Sequence, residues 1–246
     1  LFNSYSFMFV FVPLVLALHW LALRISHRAG IAALALASLI FYGWWDIRFL
    51  PLLLTSILAN FLLGRRIQDA PQSSRKIWLI FGLILNLSVL FFFKYFNFFL
   101  SVAGDLGIGR FDAFAIILPI GISFITFQKI AYLVDVYEGK SNRYSLLDFS
   151  LFVSFFPQLI AGPIVHHSQI VPQFAVMNED RANMLAKGLS IFAVGLFKKV
   201  VIADNLAQFA TPVFRAADAG LQVSTLEAWG GVLAYTFQIY YDFSGY

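Results

Sequence analysis

Of 246 residues, 60% are hydrophobic, only 12% are charged and 29 are Phe, with a net charge of +4. A soluble domain carries roughly a quarter charged residues, so this balance excludes a water-soluble globular fold, and the small, scattered positive excess gives nucleic-acid binding no support. Without cysteine, disulfides, thiolate metal sites and a cysteine nucleophile are excluded within these residues.

The apolar residues come in runs long enough to cross about 30 Å of hydrocarbon at ~1.5 Å per helical residue. Residues 7–23 form the first run, closed by Arg24, His27 and Arg28. Residues 29–45 form the second and end in Phe41-Tyr-Gly-Trp-Trp45, an aromatic cluster suited to the headgroup level. A short turn at Asp46 and Arg48 leads back through residues 49–63, and the stretch 64–76 is polar, with Arg65, Arg66, Arg75 and Lys76. Residues 77–100 form a fourth span, with Lys94 placed to snorkel towards the interface.

Charge orients these spans. The segments after spans one and three hold six basic residues, those after spans two and four only Arg48 and Arg110. The first set is expected in the cytoplasm and the N-terminus outside, in the periplasm.

Beyond residue 113 the pattern becomes irregular. Residues 113–136 are long enough to span but contain Pro119 and Gly121, which break or kink a helix. Residues 149–165 contain Pro157, Gly162 and Pro163, favouring a re-entrant or tilted segment over a plain span. Residues 184–203 and 226–243 are further apolar helices, and the topology of 149–203 stays open. The expected fold is all-α, a polytopic transmembrane bundle with broken or re-entrant helices and one domain across residues 1–246. The last run enters Phe243-Ser-Gly-Tyr246 with no closing polar tail, so the expectation is of a domain incomplete at its C-terminus.

Polar residues inside apolar runs are costly unless paired or functional. They are Gln128, Lys129, Asp135, Gln158, Gln238 and Asp242. Singly, each reads as an inter-helix hydrogen bond or an interfacial group. Together, beside Pro and Gly breaks, they suggest a polar cavity for which Gln128, Gln158, Gln238, Asp242 and Ser244 are the substrate-lining candidates. His19 and His27 read as packing or interfacial residues. His166 and His167 follow the Gly-Pro break and are weaker candidates; neighbours in sequence do not share a helix face, so no metal site is expected of them.

Five strings closely resemble the membrane-bound O-acyltransferase family: Leu118-Pro-Ile-Gly-Ile-Ser-Phe-Ile-Thr-Phe-Gln128, Tyr132-Leu-Val-Asp-Val-Tyr137, Phe156-Pro-Gln-Leu-Ile-Ala-Gly-Pro163, Phe197-Lys-Lys-Val-Val-Ile-Ala-Asp204 and Tyr240-Tyr-Asp-Phe-Ser-Gly-Tyr246. The opening Phe2-Asn-Ser-Tyr-Ser-Phe7 and Phe41-Tyr-Gly-Trp-Trp45 look like its alginate O-acetylase branch. The resemblance implies acyl transfer, usually acetyl, to a hydroxyl at or across the bacterial inner membrane. It implies an acyl thioester donor such as acetyl-CoA with no bound cofactor, a polysaccharide acceptor such as alginate, and periplasmic polysaccharide-acetylation proteins as partners besides the lipid bilayer. It also implies a catalytic His in a Trp-Arg-Arg-Trp-His-like string after Asp-Phe-Ser-Gly-Tyr. None of the four His here carries that string, so no catalytic residue is expected within 1–246. Lys129, where relatives carry small or neutral residues, and His166-His167, where the pair is variable, depart from the pattern. The alternatives are a transporter, which would show paired broken helices in inverted repeats, and a non-catalytic membrane scaffold.

Overall fold

In a medium without water, a backbone can satisfy its polar groups only within its own segment, so apolar runs of this length fold as helices. A computed structural model describes residues 4–107, 109, 114–159, 165–175 and 181–245, all helix and connection, with no strand among the described residues. Three helical stretches are long and apolar enough to cross a bilayer: His27–Trp45, Ile47–Asp69 and Gln72–Asp105. Phe7–Leu23 is a shorter apolar helix. The protein is an all-α polytopic membrane protein. Arg110, Gly162 and Pro163 lie outside the described residues.

Contacts divide the chain into two compact units, Leu14–Val176 and Leu1–Pro13 with Met177–Tyr246. In the first, α1 (Val12–Leu23) leads to α2 (His27–Trp45), whose N-cap Ser26 accepts the Ala29 N–H. After a turn, α3 (Leu50–Asp69) and α4 (Gln72–Leu90) form a hairpin. The polar stretch expected as a loop from residue 64 is shorter than that. Helix α3 continues through Arg65 and Arg66, and only Ala70 and Pro71 separate it from α4. Chain continuing from α4 passes a π-helical turn, Phe91–Tyr95, into α5 (Phe96–Asp105).

Within the hairpin, Asn60 and Asn86 exchange side-chain hydrogen bonds of 2.7 and 3.3 Å, and both are buried. Such a pair is worth about 0.6 kcal/mol, up to nearly 2, between membrane helices. In the sequence each is an Asn inside an apolar run.

Helix α6 (Ile122–Tyr137) begins where Pro119 and Gly121 end the irregular approach. It packs against α3 and α4, and the contact is close because Gly64 lets the Tyr132 ring approach; a Cβ there would meet the ring hydroxyl at 2.5 Å. Helix α7 (Leu146–Ser154) stops at Phe155, and α8 (Phe156–Leu159) restarts at once around Pro157. Pro157 has no N–H to give to the Val153 carbonyl four residues back and its ring would clash with that carbonyl, so α7 cannot run on through it, whereas the first turn of a new helix tolerates it. The core holds Tyr42, Phe49, Leu53, Ile67, Leu133 and Phe152. Helix α9 (His167–Ala175) closes this unit.

In the second unit, α10 (Arg181–Leu196) runs through a π-helical stretch, Phe197–Ala203, into α11 (Asp204–Asp218), and α12 (Thr225–Gly245) packs on α11. The apolar run ends at residue 203, but the helical chain continues into α11, which is amphipathic and so adds no apolar run.

Candidate functional site

Helix α6 buries Ile122, Ile125, Thr126, Gln128, Lys129, Tyr132, Leu133, Asp135 and Val136. These positions recur every three or four residues and so form one stripe. The stripe carries four polar residues, Thr126, Gln128, Lys129 and Asp135, into the protein.

Its centre depends on the α7–α8 break. In an unbroken helix the Phe152 carbonyl would accept the Phe156 N–H, four residues on. Here that N–H donates to Ser38 Oγ at 3.3 Å, across from α2. The Phe152 carbonyl instead accepts two glutamine amides, Gln128 Nε2 at 3.3 Å and Gln158 Nε2 at 2.8 Å. Both glutamines are buried. Their Oε1 atoms, and Thr126 Oγ1, have no hydrogen-bond partner among the described residues. A buried polar atom left unpaired costs about 1–3 kcal/mol.

Next to Gln128, Lys129 is buried and its Nζ donates to Ser56 Oγ on α3; no ion pair reaches it among the described residues.

At the end of α6, Asp135 Oδ2 lies 2.6 Å from His166 Nε2 and 2.8 Å from His167 Nε2. A carboxylate only accepts, so each Nε2 donates and each Nδ1 of a neutral ring accepts. The Tyr144 hydroxyl supplies His167 Nδ1 at 2.8 Å and the Ser168 hydroxyl supplies His166 Nδ1 at 2.8 Å. Tyr132, Tyr144 and Phe152 stand edge-on around the His167 ring. Burial holds His167 below the usual histidine range, and its bond to Asp135 opposes this only in part. His166 precedes the helix and His167 opens it, so helix-face spacing does not apply to the pair, and both rings turn to one carboxylate.

The second unit holds a separate charged cluster. Lys199, on the π-helical stretch, pairs with Asp242 at 2.6 Å and Asp204 at 2.8 Å. Lys198 Nζ donates to the Ser244 carbonyl at 3.4 Å. A Cβ on Gly195 would fall 2.4 Å from the Gly245 carbonyl oxygen, so α10 and the end of α12 touch through backbone. Gln238 is half-buried and Ser244 exposed. Thus Gln128 and Gln158 come together on one acceptor, Asp242 is paired, and Gln238 stands apart from these contacts. Sequence reasoning missed Ser38, Tyr144 and Lys199; the last sits within a matched string, and only its partners in space reveal it.

Residues 134–246 match the family model described as MBOAT, the membrane-bound O-acyltransferase family. The whole chain is similar to the peptidoglycan O-acetyltransferase of Helicobacter pylori, 42% identical over 276 residues, covering 100% of this chain and 52% of that protein. It is likewise 40% identical over 252 residues to the "Probable alginate O-acetylase AlgI" of Pseudomonas aeruginosa, covering 100% of this chain and 47% of that protein. A teichoic acid D-alanyltransferase of Streptococcus thermophilus is 26% identical over 130 residues, 52% of this chain and 31% of that protein. The chain spans about half the length of the curated relatives it matches along its whole length. The residue strings, the match of residues 134–246 and these whole-chain similarities agree in pointing to the membrane-bound O-acyltransferase family.

Proposed function

We propose that this chain is the membrane-embedded part of an O-acetyltransferase that passes acetyl groups from a thioester donor such as acetyl-CoA towards hydroxyls of a glycan outside the cytoplasm. The similarity of all 246 residues to relatives named for O-acetylation of peptidoglycan and of alginate carries this reading. On it, the protein sits in the bacterial inner membrane with its N-terminus periplasmic. Residues 1–246 belong to one acyltransferase domain, and periplasmic acetylation proteins receive or use the acyl group.

The chemistry asks for a base that takes the hydroxyl proton while the oxygen attacks the thioester carbonyl and the thiol departs. None of the four histidines here carries the catalytic string the resemblance implies, so the base is assigned outside residues 1–246. Gln128 and Gln158 would line the substrate path in the first unit, their unpaired amide oxygens offering acceptors to a polar substrate group. In the second unit, Gln238, Asp242 and Ser244 would contribute to the wall formed by α12.

The test is deletion of the gene in its host, followed by alkaline release of acetate from purified peptidoglycan and from exopolysaccharide. Loss of ester acetate from one polymer, restored by the full-length gene, supports the reading and identifies the acceptor. Full retention in both, in a strain without a second such gene, overturns it. Complementation with Gln128→Leu and Gln158→Leu variants that insert normally should restore less acetate than the wild type, by tenfold or more.

A further inference from the structure

We propose that Asp135, His166 and His167 form a binding site for a divalent transition-metal ion of the Zn2+ class. The three candidate ligand atoms, one carboxylate oxygen and two imidazole nitrogens, all lie within 4.8 Å of one another. Two imidazoles and a carboxylate form a set that zinc and its first-row neighbours favour. Tetrahedral bonds of about 2.0–2.2 Å place ligand atoms about 3.3 Å apart. The 2.6 and 2.8 Å contacts to Asp135 therefore need to open by only a little over half an ångström. His166 has the freedom to do so, since its side chain is 44% exposed, whereas that of His167 is 1% exposed and held by three aromatic rings.

The surroundings suit metal binding as well as the ligands do. Each imidazole must give up the Nε2 proton to coordinate, and its Nδ1 must then carry one. Opposite each Nδ1 stands a hydroxyl, Tyr144 on His167 and Ser168 on His166. A hydroxyl accepts an N–H as readily as it donates, so both rings can change tautomer without losing an outer hydrogen bond. Outer partners of this kind orient metal-bound histidines and commonly govern affinity by 10–100-fold. Three protein ligands leave a fourth position for water or a substrate group, on the side where His166 is exposed. A bound ion would fasten the end of α6 to the start of α9, 32 residues on.

The experiment uses the full-length, tag-free protein in detergent, stripped with a chelator and titrated with Zn2+ against a chromophoric competitor. One ion per chain is expected, with Asp135→Asn and His166→Gln each weakening binding at least tenfold and Tyr144→Phe tenfold or more. His166 is exposed, so its variant keeps the fold even where changes at buried His167 do not. Co2+ in place of Zn2+ should give visible bands of a four- or five-coordinate site in the wild type and lose them in His166→Gln. Absence of stoichiometric binding, or equal affinity in wild type and His166→Gln, overturns the site.

Discussion

Gly121 and Leu159 meet at backbone range: a Cβ on Gly121 would fall 2.6 Å from the Leu159 carbonyl oxygen. Gly121 also has φ +69°, the left-handed region, as the residue that opens α6. Two requirements thus coincide at one position, a conformation costly to other residues and a contact with no room for a methyl group. Gly121→Ala is expected to destabilise the protein by about 2–3 kcal/mol, from the left-handed conformation and the forced separation of α6 from α8. Thermal unfolding in detergent, followed by circular dichroism, checks it; an unchanged midpoint would show that α8 moves freely.

Lys129 is the residue whose charge the fold accommodates least. It is buried on the inner stripe of α6, with the Ser56 hydroxyl as its one partner among the described residues. An ammonium without a counter-ion is expensive in such surroundings. Lys129→Met keeps most of the volume and removes the charge, so it should raise stability by about 1–3 kcal/mol. A higher unfolding temperature confirms a tolerated burden. A lower one would mean that the amine holds something essential between α3 and α6.

The fold was legible in the sequence wherever a single periodicity decided it. Runs of apolar residues announce the spans, and Pro119, Gly121 and Pro157 mark where the chain breaks and a new helix begins. Gln128 and Gln158 were visible because an amide in hydrocarbon needs a reason. What could not be read was partnership. Ser38 becomes important only because the α7–α8 break turns the Phe156 N–H towards α2. Tyr144 stands in an ordinary polar stretch until His167 arrives from 23 residues away. Helix-face spacing says nothing about His166 and His167, because the helix starts between them.

Lys199 holds two carboxylates at once, Asp204 and Asp242. Removing it would leave two acids of like charge side by side. Its side chain is 25% exposed and the acids are 43% and 30% exposed, so water relieves part of the penalty. Lys199→Met should cost about 1–2 kcal/mol, between the values for exposed and buried pairs. Adding Asp204→Asn and Asp242→Asn should return most of that loss, because the repulsion goes with the charges. If the triple variant is no more stable than Lys199→Met, the lysine acts through packing and not through charge.

Orientation in the membrane follows from where the basic residues gather. Arg65 donates to the Tyr144 carbonyl, Arg75 to the Ile67 and Val136 carbonyls, and Arg143 pairs with Asp69. The α3–α4 connection and the segment after α6 thus share one strongly basic end of the first unit. The α2–α3 turn carries a single basic residue, Arg48, and Asp46 neutralises it through a paired contact of 2.7 Å. Cytoplasmic segments collect Arg and Lys, so the end with Arg65, Arg66, Arg75 and Lys76 is expected inside and the turn outside. The 246 residues contain no cysteine, so single cysteines report their own positions in this chain. Ile47 and Ser73 are both exposed. In intact spheroplasts a membrane-impermeant maleimide should label Ile47→Cys, and should label Ser73→Cys only after permeabilisation. The reverse pattern would invert the orientation and place the Asp135, His166 and His167 cluster on the outer side.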